Sequence, residues 1–239
     1  MLLAGQDLLL AIVVIAAGAV VQGVSGVGGG FIMVPFIAMI DMRLLPGAFI
    51  FSTLSLSSTM AWRERSSIDF ANTLPMFITM LPGALLGAWL LTRVAPDHLG
   101  LIFGAMILLA VVITATGVHL PLNRLSSAMA GLIAGTMAAS SAIGAPVVAV
   151  LYQRESGPRI RATLAYIYTV SSVLIVVALA LSGRFAWQDA QAGLLLVPGF
   201  MLGYIFSRPL AMYFDHGATR YIVLGVSATA ALFLITSSL

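Results

Sequence analysis

The residues of this chain best suited to ligand chemistry carry almost no side chain. Gln22-Gly-Val-Ser-Gly-Val-Gly-Gly-Gly-Phe31 places five glycines beside a glutamine and a serine. Glycine lets backbone N–H groups approach a ligand and takes positive φ without strain. The apolar stretch that follows, Phe31 to Ile40, reads as a short helix. Its N-terminus offers unpaired N–H groups and the positive end of a helix dipole, a combination that attracts anions. A second run, Ala138-Ala-Ser-Ser-Ala-Ile-Gly-Ala-Pro146, has the same character, because proline suits a first helical turn. The expected anion contacts are Gln22, Ser25, Gly26, Gly28, Gly29, Gly30 and Phe31 from the first run. Ser140, Ser141, Gly144, Ala145, Pro146 and Val147 supply them from the second. The competing readings are structural: a glycine seam for close helix packing, and a proline kink with serines bonded back to their own helix. A nucleotide-phosphate loop is excluded, since the chain has no lysine and no strand precedes the glycines.

A third polar feature is Phe51-Ser-Thr-Leu-Ser-Leu-Ser-Ser-Thr59, where Ser52, Ser55 and Thr59 share one helical face. With Thr169 and Ser171 they are candidates for lining a path, and hydrogen bonding between helices is the equal alternative. The pairs Gly83/Gly87, Gly199/Gly203 and Gly100/Gly104 have the spacing of close helix packing. Catalytic chemistry finds no support. The chain has no cysteine, and His98, His119 and His216 stand apart near expected helix ends. No paired carboxylates or Ser-His-Asp arrangement falls inside an apolar run. The reading is a non-enzyme with no metal and no cofactor.

These residues are positioned by apolar helices. Hydrophobic residues make up 61% of the chain and charged residues 8%, against roughly 25% charged in soluble domains. So few charges cannot cover a surface facing water, and the lipid bilayer is the expected partner. All eleven basic residues are arginine, which suits topology signals better than a nucleic-acid patch. Continuous helices are expected at about 45–62, 70–92, 98–119, 160–182, 189–213 and 218–238. Residues 8–40 and 125–153 are different, because each is uncharged throughout yet interrupted by one of the glycine-rich runs. As straight helices they would measure about 50 and 43 Å, too long for one span and too short for two.

The chain also repeats itself. At an offset of 116, Gly28 matches Gly144, Arg43 matches Arg159 and Thr53 matches Thr169, and Ser55, Pro82, Gly83 and Gly87 find Ser171, Pro198, Gly199 and Gly203. The pattern predicts one all-α integral membrane domain over 1–239, with repeats at about 8–119 and 125–238. Each unit has a broken, re-entrant-like helix pair plus three transmembrane helices. If each broken segment re-enters on its own side, each unit crosses three times and the halves are inverted, with the two breaks meeting near the midplane. The positive-inside rule then puts both termini outside the cytoplasm.

Gly23-Val-Ser-Gly-Val-Gly-Gly-Gly-Phe-Ile-Met-Val-Pro35, repeated more weakly as Gly131 to Gly135 and Gly144-Ala-Pro146, resembles the TauE/SafE family of sulfite and organosulfonate exporters. The resemblance runs the length of the chain. It implies export of a small sulfur-containing anion across a prokaryotic inner membrane, with alternating access as the expected mechanism. A passive anion channel and a non-transporting membrane scaffold remain the alternatives, and a homo-oligomer stays open.

Overall fold

A computed structural model describes residues 5–94, 98–117, 120–152, 155, 157–210 and 216–236. The expected span ends at 118–119, 153, 211–213 and 237–238, with His119 and Arg154, lie outside these. Every regular element among the described residues is helical: α1 (Gly5–Ser25), α2 (Gly29–Asp41), α3 (Gly47–Arg63), α4 (Thr73–Arg93), α5 (Leu99–Thr116), α6 (Arg124–Ser141), α7 (Ala145–Tyr152), α8 (Gly157–Leu181), α9 (Trp187–Leu210) and α10 (His216–Thr236). Five of them, α1, α4, α5, α8 and α9, are long and apolar enough to cross a membrane. Leucines and aromatics such as Leu9, Val13, Ile78, Val112, Leu194 and Phe206 point outward, as lipid-facing side chains do. The three tryptophans, Trp62, Trp89 and Trp187, are exposed near helix ends, where amphipathic rings meet a membrane interface. The guanidiniums of Arg65 and Arg93 stack on Trp62 and Trp89.

Small residues set the packing. A Cβ on Gly83 or Gly87 would come closer than 3.0 Å to the α6 backbone at Leu132 or Thr136. One on Gly131 or Gly135 would do the same to α4 at Met76 or Met80. α4 and α6 therefore lie backbone to backbone and run in parallel. Gly199 and Gly203 of α9 bear the same relation to Ile12 and Ala16 of α1, again in parallel. For these pairs the packing reading holds, and Gly104 likewise abuts Ala231 and Ile235 of α10. Polar ties join α3 to α8: Thr53 and Ser172 share a hydrogen bond of 3.1 Å between their hydroxyls.

The chain turns back at each break. Gly18 of α1 faces Gly29 and Met33 of α2, a contact that a straight helix of this length cannot make. The 8–40 segment is thus a hairpin whose first arm, α1, is itself of spanning length, about 31 Å at 1.5 Å per residue. The shorter return arms are sheltered: Phe31, Met33, Val34 and Ile37 of α2, and Val148, Leu151 and Tyr152 of α7, are buried. The C-terminal end of α3, the N-terminal ends of α4 and α8, and the C-terminal end of α9 gather at one end of the bundle. Arg63, Arg65, Arg124, Arg159 and Arg161 lie there, whereas Arg43, Arg93 and Arg184 lie at the other. We call the first the basic end.

Candidate functional site

α1 stops at Ser25 because the backbone leaves the helical region at Gly26, where φ is 78°. Gly26 donates its N–H to Gln22 at 2.7 Å, closing α1, and Gly28 takes φ 96° as the N-cap of α2. Only glycine holds the second of these turns without strain. The Ser25 hydroxyl bonds to the carbonyls of Val21 and Val27, so it braces the break from within. At the second break, Ala142 adopts φ 63° and donates to Ala138 at 2.8 Å. Ser140 and Ser141 are buried and bonded back to Thr136 and Met137, and Pro146 enters the first turn of α7. Their hydroxyl protons serve their own helix.

The glycines of the first run divide by role. Gly26 is covered by the side chain of Arg161 from α8, which leaves no room for a Cβ. Gly29 is wedged against the Gly18 carbonyl and the Gln22 side chain. Both follow the packing reading. Gly30 does not, because a Cβ there would meet nothing within 4 Å, and its φ is helical. Neither space nor conformation requires glycine at position 30. Within the described residues no acceptor meets the N–H groups of Gly28, Gly29 and Gly30, while Phe31 donates to Gly28 at 3.2 Å. The Gln22 amide lies beside them with no hydrogen bond to a described residue.

The breaks do not meet. Gly23 packs on Ser207 and Gly26 on Arg161, which places the first break at the basic end. The second follows Thr136, which faces Gly87, by only six residues, and so lies where α4 runs out at Arg93. Nor does any extensive contact join α1 or α2 to α6 or α7. The meeting of the two breaks near the midplane expected from the sequence is replaced by two breaks that lie apart. The path candidates also resolve. Ser52, Ser55, Thr59, Thr169 and Ser171 each bond to a carbonyl of their own helix one turn earlier, whereas Thr53 and Ser172 make the contact between helices.

Two features went unseen in the sequence. Arg161 stands four residues into α8, and nothing local says that it folds over Gly26. Asp69, in the α3–α4 connection, receives the Arg159 guanidinium at 2.5 Å and the Ala71 N–H at 2.9 Å, and its own N–H donates to Thr163. The Ala71 N–H and the arginine hold its carboxyl below the ordinary value. Among the described residues no group of His, Asp or Glu could hold a metal ion.

Among the described residues, ten α-helices with an outward apolar surface, parallel glycine seams and two buried return arms define a multi-pass membrane protein. The family model described as Sulfite exporter TauE/SafE matches residues 10–234, and the chain belongs to that family. No curated protein and no solved structure matches the chain.

Proposed function

We propose that this protein exports a small sulfur-containing anion, sulfite or an organosulfonate, by alternating access between two inverted units, α1–α5 and α6–α10. The observation that carries the reading is Gly30, a glycine that packing does not need, beside three N–H groups without acceptors. Free N–H groups at a helix start suit an oxyanion. Gln22 supplements them in the first half-site, and Gly144, Ala145 and Val147 offer the second.

The unit structure rests on correspondences across the 116-residue offset. Ser25 and Ser141 end α1 and α6, and Gly29 and Ala145 begin α2 and α7. α1 lies on α9 as α6 lies on α4, and α2 touches α10 as α7 touches α5. α1 ends at the basic end and α6 begins there, which supports a second unit that runs inverted. Inverted repeats are the usual basis for exposing a site to one side and then the other. The arginine distribution favours the basic end as cytoplasmic, with both termini outside and the chain in the inner membrane of a prokaryote. Export of one negative charge from a negative interior gains about 2.3 kcal/mol per 100 mV, so no ATPase is needed.

Reconstituted proteoliposomes test the reading. Sulfite inside should leave through the protein with saturable kinetics, and unlabelled external sulfite should accelerate exchange, as a carrier does. Flux that rises linearly with concentration would identify a channel, and no flux would identify a scaffold.

A further inference from the structure

At the basic end a pocket of about 380 Å³ opens between the α3–α4 connection and the start of α8, lined by Ser66, Ser67, Ile68, Asp69, Pro158 and Arg159. We infer that this pocket captures the small oxyanion before transport, with the Arg159 guanidinium as its cation and Asp69 as the resident competitor that the anion displaces. The inference rests on the export reading, which puts this end in the cytoplasm.

Asp69 is held fast: one carboxylate oxygen takes the Ala71 N–H, the other takes Arg159, and its backbone is tied to Thr163. Arg159 is looser. Its side chain is 47% exposed, and its second contact, to Glu155, is 3.4 Å long. The hydroxyls of Ser66 and Ser67 have no hydrogen-bond partner among the described residues. The counterpart of Arg159 in the first unit, Arg43, is instead bidentate with its near neighbour Asp41. The cross-unit ion pair with Asp69 is therefore peculiar to the basic end.

The test is titration of the purified full chain with sulfite, followed by calorimetry, with elution profile and anion-free melting as controls for folding. Arg159→Gln should weaken binding about ten-fold or more, the range for a charged hydrogen bond. Asp69→Asn keeps the acceptor for Ala71 and removes the competitor, so it should tighten binding several-fold. Wild-type affinity in Arg159→Gln, or unchanged or weaker affinity in Asp69→Asn, overturns the inference. Gly30→Val separates it from the transport reading. Normal binding in Arg159→Gln with lost transport in Gly30→Val removes the capture site alone. Normal transport in Gly30→Val with weakened binding in Arg159→Gln removes the break site alone.

Discussion

Gly26 and Ala142, 116 residues apart, share one backbone conformation. Both have positive φ, 78° and 63°, and both donate to the carbonyl four residues earlier, Gln22 and Ala138. One of the pair is a glycine and the other is not. For an L-residue the left-handed region costs roughly 1–2 kcal/mol. Ala142→Gly should therefore stabilise the protein, by about 1 kcal/mol once the freer unfolded chain is counted. Gly26→Ala should destabilise it, because Arg161 fills the space as well. Thermal unfolding in one detergent checks both signs, and a loss of stability in Ala142→Gly would contradict the shared geometry.

The α4–α6 seam should tolerate no bulk. Gly87→Leu must push α4 away from Thr136 of α6. We expect a cost above about 3 kcal/mol, beyond ordinary overpacking because the neighbour is backbone, and a sharp fall in folded yield. Gly225→Ala is the control, since a Cβ there meets nothing within 4 Å. Similar yields from the two variants would mean that the seam is looser than described.

Thr53 and Ser172 should be coupled. A double-mutant cycle with Thr53→Val and Ser172→Ala should return about 0.6 kcal/mol, the average for such bonds inside membranes. Strict additivity would show that the hydroxyls do not interact.

Much of this fold can be read from the residues, and what cannot be read has physical reasons. Uncharged runs of spanning length mark the helices, since a bilayer admits little else. The breaks at 26–28 and 142–144 fall where segment length demands an interruption. The depth of the breaks was not legible, because it depends on the register of α1 against α9 and of α6 against α4, which are long-range contacts. Within the break, the sequence treats Gly26, Gly29 and Gly30 alike. Only three-dimensional neighbours separate the two that packing requires from the one it does not. The serines illustrate the same limit, since Ser25, Ser140 and Ser141 offer donors on paper and bond to their own helices in space. Arg161 and Asp69 acquire these contacts from helices far away along the chain, which local patterning cannot reveal.

Orientation has a direct test. The chain has no cysteine, so Ser66→Cys introduces a single thiol at the basic end, in the pocket wall. An impermeant thiol reagent should leave intact cells unlabelled at this site and should label opened membranes. Ready labelling of intact cells would place the basic end outside and reverse the direction of transport.

The most direct measurement of the central claim is sulfite efflux from proteoliposomes carrying Gly30→Val beside the wild type. The added side chain enters open space, so melting and elution should match the wild type within about 0.5 kcal/mol, as for substitutions clear of packing. If the N–H groups of Gly28, Gly29 and Gly30 hold the anion, efflux should fall at least about ten-fold, the loss of one charge-assisted hydrogen bond. Wild-type efflux from a well-folded Gly30→Val protein would contradict the site.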